Sequence, residues 1–442
     1  MSYNCCFPRR HNDARPEYGT ALQHSRHLQP HTILTGKPRE SAYSAFSIRS
    51  YRFQWPADLL ASWAFEMEII ILGWYILTET GSVLMLSFYA ALQYIGTLLS
   101  PVFGVAGHRI GNKRLLCLMR SIYAALASTL MVLSLTGVLV PVHVFIITAL
   151  MGIVRPSDLV MRYALVCEIV PPDRLMAATS ISRTTQDSAR VFGTLFGAGF
   201  ATAFGMGGAY TIIAAVYVTS LALTLKVKST PAGAQVAASQ GKAAVSPFRD
   251  LKDTVAYVWR EPQLRSTMLI AMLLNLTAFP VIMGLLPYVA KEIYHTDQQG
   301  LSFLVAGFAS GALTGSIVMS RMGQHIRQGR TMIVAACIWY VLLILFSHMP
   351  NAVTGGLTLF AIGLTQSVSL VPMNVMILRT TESRFHGRVM GIRMLAVYGV
   401  PVGLMVAGPL IRWTSYGTMV TFYSLVGLAL LFAIVWHWRD CL

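Results

Sequence analysis

The sequence predicts an all-α integral membrane protein, with twelve transmembrane helices arranged as two pseudo-symmetric six-helix bundles. Three observations carry this reading. The first is composition: 55% of the 442 residues are hydrophobic and only 12% are charged, where a soluble domain carries roughly a quarter charged residues. Mean hydropathy is +0.58. The second is length, because apolar runs recur at the ~20 residues needed to cross hydrocarbon. Helices satisfy their own backbone there, and the ~10-residue alternating segments of a barrel are missing. The third is the distribution of Lys and Arg, which gather in alternate loops.

The spans are expected at 57–78, 82–104, 114–136, 140–167, 176–204, 207–226, 264–290, 299–320, 329–348, 353–378, 386–411 and 416–437. One side collects the basic residues 1–51, Arg109, Lys113, Arg114 and Arg174. It also holds Lys226, Lys228, Lys242, Arg249, Lys252 and Arg260, then Arg321, Arg327, Arg330, Arg384, Arg388 and Arg439. The other side has little beyond Lys291 and Arg412. Basic loops stay in the cytoplasm, so both termini are expected there, in a plasma membrane of the bacterial inner-membrane kind. The net charge of +16 is then topological and requires no nucleic acid. Residues 1–51 hold no apolar core of signal-peptide length and are expected to be a disordered cytoplasmic tail. The six cysteines show neither metal nor disulfide spacing, and no cofactor is expected.

Between spans six and seven, "KSTPAGAQVAASQGKAAVSP" reads as a small, polar linker. In "FRDLKDTVAYVWREPQLR", Phe248, Leu251, Val255, Val258 and Trp259 share one helical face, which predicts an amphipathic helix on the membrane surface. The expected units are therefore 52–226, a linker at 227–263, 264–438, and a short cytoplasmic end at 439–442. The halves echo one another at an offset of 210: Arg174 with Arg384, Arg183 with Arg393, Gly193 with Gly403. "HRIG" after span two likewise echoes "SRMG", which contains Arg321 and Gly323. Two such repeats place a substrate cavity where they meet.

"GVAGHRIGNKR", between spans two and three, resembles the signature loop of the major facilitator superfamily, roughly Gly-x-Leu-x-Asp-Arg-x-Gly-Arg-Lys-x. Gly104, Arg109, Gly111 and Lys113 match; His108 stands at the acidic position and Asn112 at a basic one. "GWYILTETGSVLMLSF" and "DLKDTVAYVWREPQLR" look like bacterial drug and siderophore exporters of that superfamily. The resemblance covers residues 52–438. It implies the major facilitator fold, a gating loop at these positions, and efflux by antiport against protons. His108 replaces the acid that latches the halves in the family. The proline of the Gly-Pro motif that family antiporters carry in helix five is also missing.

Polar residues inside the spans are the candidate site, since each is costly in hydrocarbon. Glu66 and Glu68 point about 200° apart on span one. Glu68 shares its face with Tyr75 and Glu79, and Glu66 shares its face with Ile70 and Gly73. The more polar stripe is that of Glu68, which is therefore expected to face the cavity and exchange a proton, with Glu66 toward a neighbouring helix. Arg155, Asp158 and Arg162 form an i, i+3, i+7 ladder on span four, and Arg183, Asp187 and Arg190 form a second on span five. Either ladder neutralises itself or supplies counter-charges to span one. The resemblance implies that the arginine of span four serves proton transfer. It also implies that spans seven and ten line the cavity, which nominates Asn275, Gln366 and Asn374, although such residues equally serve as helix–helix glue. Tyr75 and Tyr94 could stack on a substrate or anchor span ends.

The function expected is a secondary transporter that moves a small organic compound by alternating access, with efflux coupled to protons. A solute importer or uncoupled facilitator is the alternative. An enzyme is disfavoured by the lack of His-Glu-x-x-His, Gly-x-Ser-Gly and nucleotide-binding motifs. The expected partners are the small-molecule substrate, protons and the bilayer, with the chain a monomer.

Overall fold

The computed structural model describes residues 46–99, 110–171, 174–228, 247–322, 327–382, 389, 392–393 and 395–438, apart from some side chains within them. Most of the basic tail, Gly104, His108, Arg109, Gly323, Arg384, Arg388, linker residues 229–246 and residues 439–442 lie outside this description.

The first half comprises α1 (Arg49–Thr80), α2 (Val83–Leu92, continued by a 3-10 turn at Ile95–Leu99), α3 (Asn112–Leu135), α4 (Pro141–Ile169) and α5 (Leu175–Leu225). The last of these holds two spans. Gly205, at φ 68° and ψ 178°, breaks it, a conformation that a side chain would resist. The amphipathic stretch forms α6 (Pro247–Arg260), where Val258 is buried while Val255 and Trp259 are exposed. The second half comprises α7 (Pro262–Thr277), α8 (Phe279–Met283), α9 (Leu286–Tyr288), a π turn at Val289–Ile293, α10 (Gln298–Met322), α11 (Gln328–Ser347), α12 (Ala352–Thr380), α13 (Gly399–Trp413) and α14 (Tyr416–His437).

Nine helices among the described residues are long and apolar enough to cross a membrane. Counting the two arms of α5 separately, and adding the shorter α2 and the broken α7–α9, gives the twelve spans. Span seven differs from the single helix expected at 264–290. Pro280 and Pro287 lack the amide that continues a helix, and Gly284 leaves helical φ/ψ between them. Irregular backbone at membrane depth is tolerated where it lines a cavity.

The repeat is visible in the packing. A Cβ on Gly193 would lie 2.9 Å from Glu66 Cβ and 3.0 Å from Trp63 O, while one on Gly403 would lie 2.2 Å from Leu276 O. Each half thus seats its fifth span on its first through a glycine, and Gly197 extends the contact to Met67. Ser41–Leu442 packs as one unit. Lys291 Nζ donates to Leu77 O at 3.3 Å and Ser302 Oγ to Thr194 O at 3.1 Å, joining the halves toward the side opposite the basic loops. Gly73 approaches Pro287 and Gly408 approaches Ser87 at the same level. Nearer the basic loops, Tyr398 Oη donates to Ile95 O at 3.2 Å.

Candidate functional site

Eight charged side chains interlock inside the first half. Asp58 of α1 pairs with Arg120 of α3 and accepts from Gln54 Nε2 at 2.8 Å. Arg120 is fully buried and also donates to Thr224 Oγ1. Arg162 of α4 lies 2.5 Å from Asp158 and 3.8 Å from Asp58, and donates to Ser62 Oγ at 2.7 Å. Arg155 donates to Glu68 Oε2 at 3.3 Å and lies over the Phe65 ring. Tyr217 Oη donates to the same Glu68 oxygen at 2.8 Å. Arg190 of α5 reaches Glu66 Oε1 at 3.6 Å. Four guanidinium groups thus face four carboxylates, the balance expected of charge held in a low dielectric.

Beside this network, where the halves meet, lies a cavity of about 370 Å³. Its two walls differ in chemistry. The first half contributes Glu66, Asp158, Arg155, Arg162 and Arg190, with Gln93, Gln186, Tyr89, Tyr94, Tyr123 and Tyr217. The second half contributes Ile282, Met283, Leu286, Leu301, Val305 and Phe308, and none of its described lining residues is charged. The broken span seven supplies the first three of these. The hydroxyl of Tyr123, on the polar wall, is buried without a hydrogen-bond partner among the described residues.

The structure reverses the expected placement of the two acids of span one. Glu66 lines the cavity, and Glu68 does not. Glu68 is 2% exposed and is held by Arg155 and Tyr217 behind the wall. The reason is the glycine contact: Gly193 and Gly197 bring α5 against the Glu66 face, and α5 carries Arg190 to the cavity with it. The ladder on span four divides, with Arg162 staying on Asp158 and Arg155 crossing to Glu68. Arg190 takes a glutamate of helix one; Asp187 lies outside the cavity lining, and the Arg183 side chain lies outside the described residues.

Tyr94 lines the cavity, whereas Tyr75, Asn275, Gln366 and Asn374 are not part of its lining. Tyr75 Oη donates to Leu139 O at 3.1 Å at a span end, and Asn275 Nδ2 donates to Ala271 O of its own helix at 2.8 Å. Gln366 is buried, and its neighbour Ser367 donates to Ala312 O at 2.7 Å, so this stretch of span ten packs on α10. Of the gating-loop residues described, Gly111 adopts φ 96°, Lys113 Nζ donates to Leu225 O at 2.9 Å, capping the end of α5, and Arg321 is exposed.

Sequence reasoning missed Asp58, Arg120, Gln93, Gln186 and three of the tyrosines. For Asp58 a signal existed: it stands two turns before Glu66, with Ser62 between them, on one helical stripe.

Residues 40–438 match the family described as transmembrane secretion effector. No curated protein matches the chain. Among solved structures, the chain resembles the nucleoside transporter NupG at 14% identity, over 88% of this chain and 98% of that one, with a TM-score of 0.65. It resembles a D-xylose-proton symporter at 13% identity, over 85% and 96%, with a TM-score of 0.65. An auto-inhibited POT family peptide transporter follows at 11% identity, over 88% and 97%, with a TM-score of 0.66. At these identities the likeness is one of fold. With twelve spans, two repeated halves, a cavity between them and a family match along nearly the whole chain, this protein belongs to the transmembrane secretion effector family of the major facilitator superfamily, and is a membrane transporter rather than an enzyme.

Proposed function

We propose that the protein is a secondary transporter that carries a small organic compound outward by alternating access, with Glu66 as the group that links transport to protons. The observation that carries this reading is the placement of Glu66: on the wall of a 370 Å³ cavity, opposite an apolar face, with Arg190 at 3.6 Å as its ion-pair partner. A volume within the usual ~300–1,000 Å³ of small-molecule sites fits such a cargo. Glu68, Asp158 and Asp58 hold closer partners and keep the helices of the first half together. Arg155 and Arg190 position the two glutamates, and Tyr94 and Gln93 offer hydrogen bonds beside them. The basic loops lie in the cytoplasm, as the distribution of Lys and Arg implies, and the units 52–226 and 264–438 rock against each other. The family's description as a secretion effector supports the outward direction. Inward transport is the second reading, supported by the likeness to a D-xylose-proton symporter.

The test is flux in proteoliposomes under an imposed pH gradient, after cargo has been identified by comparing metabolites of cells with and without the protein. Wild type should respond to the gradient and Glu66→Gln should not, while Glu68→Gln should keep the response at a reduced rate. If both variants respond like wild type, neither glutamate is the proton site.

A further inference from the structure

The charge inventory of the cavity constrains what it can carry. Arg120, Arg155, Arg162 and Arg190 balance Asp58, Glu66, Glu68 and Asp158. A guanidinium does not lose its proton in a protein, whereas a carboxylate can gain one. Titration can therefore move this network from neutral to positive and never to negative. A cationic cargo meets no state that welcomes it. An anionic cargo meets one, reached when a carboxylate of the wall is neutralised.

The geometry singles out where that happens. Arg190 is the most exposed of the guanidiniums in these pairs, at 37%, and its contact with Glu66 is 3.6 Å long. The other three hold a carboxylate at 3.3 Å or less and are at least 83% buried. The groups facing Glu66 are Arg190 from α5, Arg155 from α4 and Tyr94 from the turn that follows α2, with Asp158 further along the α4 wall. The described residues of the second half that line the cavity present it with no charge. An anion entering the cavity finds Arg190 as its docking group, with the unpartnered Tyr123 hydroxyl on the same wall. Taking Arg190 leaves Glu66 without its ion-pair partner in a low dielectric, with Arg155 held on Glu68, and a proton then neutralises it.

We propose that the cargo is an amphipathic organic anion, its acidic head on Arg190 and its apolar body against Ile282, Met283, Leu286, Leu301, Val305 and Phe308, and that it binds together with a proton on Glu66. This rests on Glu66 being the proton site and deepens that reading. It also fixes the sense of coupling: cargo and proton share one transport step, so that export is driven by the cargo's own gradient and import by the proton's. Exchange of cargo against protons, the expectation raised by the resemblance to exporters, would require binding to expel the proton. An incoming anion does the opposite.

The test uses two permanently charged probes of similar size, naphthalenesulfonate and N-methylquinolinium, so that pH acts on the protein alone. Binding to the purified full-length protein in detergent is followed by calorimetry, with proton exchange read by an indicator dye in weak buffer. The sulfonate should bind and the quinolinium should not. Sulfonate binding should take up about one proton, and its Kd should tighten up to about tenfold per pH unit lowered, as reciprocal linkage requires. Glu66→Gln should bind the sulfonate with neither proton uptake nor pH dependence, and Arg190→Gln should lose it. Preference for the quinolinium, release of protons, or no binding of the sulfonate overturns the proposal using wild-type protein alone. If proton exchange persists in Glu66→Gln, Glu66 is not the proton site, and the choice between the probes still reports the charge of the cargo separately.

Discussion

Asp58 and Arg120 illustrate how a single residue holds this protein together at membrane depth. Arg120 has no exposed surface, and its guanidinium is shared between Asp58 and the α5 residues Ser220 and Thr224. Asp58 also faces Arg162. Its carboxylate therefore ties α1 to α3 and α4 at one point. Replacing it by Leu leaves an uncompensated buried cation, which costs about 3–5 kcal/mol. Replacing both partners restores neutrality, because Arg162 keeps Asp158. Asp58→Leu should lower the midpoint of thermal unfolding in detergent far more than the pair Asp58→Leu with Arg120→Leu. If the two single losses simply add, the residues are not coupled. The importance of Asp58 was partly legible in the chain, since it shares a stripe with Ser62 and Glu66. Which stripe faces the cavity was not. Tyr75 and Glu79 make the Glu68 stripe look the more polar, but they sit at the end of the span, where Tyr75 serves a loop carbonyl. The packing partner, and not the polarity of the helix alone, decides which face is the wall.

At the scale of elements, the glycines of spans five and eleven do the placing. Gly193 and Gly403 stand at equivalent positions of the repeat, and each lets its helix approach the first span of its half to backbone contact. The same offset relates Glu66 to Leu276, so one architecture presents a carboxylate in the first half and an apolar side chain in the second. That pairing was readable from the repeat. The break in span seven was harder to read, because a hydropathy window is blind to the amides that Pro280 and Pro287 lack, and it moves the lining from Asn275 to residues 282–287. Two glycines of α5 give a controlled comparison. A Cβ on Gly193 would crowd Glu66 and Trp63, and one on Gly199 meets nothing within 4 Å. Gly193→Ala should cost about 1–3 kcal/mol through overpacking and slow transport. Gly199→Ala should be neutral or gain up to about 1 kcal/mol from its stiffer unfolded chain. Thermal unfolding of the two variants side by side decides this, and equal midpoints would remove the glycine contact as the device that seats α5.

For the molecule as a whole, alternating access requires the halves to part at the face opposite the basic loops, where several of their described contacts lie. Lys291 on Leu77 O, Ser302 on Thr194 O, Gly73 beside Pro287 and Gly408 beside Ser87 all lie toward the face opposite the basic loops. None is an ion pair: the Ser302 bond is worth about 1 kcal/mol and the charged Lys291 bond about 1.5–3 kcal/mol, and two are close packing of a glycine. Such a seam can open at the cost of a few such contacts, whereas the ion pairs of the eight-charge network lie within the first half and none of them crosses the seam. Gly408 and Ser87 offer a direct handle, since a Cβ built on Gly408 lies 3.2 Å from Ser87 Cβ, near the ~3.5–4.5 Å that a disulfide spans. With the native cysteines replaced, Ser87→Cys combined with Gly408→Cys should form a cross-link between α2 and α13 on oxidation. Transport in proteoliposomes should then stop, and reduction should restore it to the level of the single variants. Binding of cargo from the basic side should survive the cross-link, because the cavity itself is not strained by it. Full transport by the oxidised double variant would mean that α2 and α13 stay together through the cycle, and that the halves separate along some other seam.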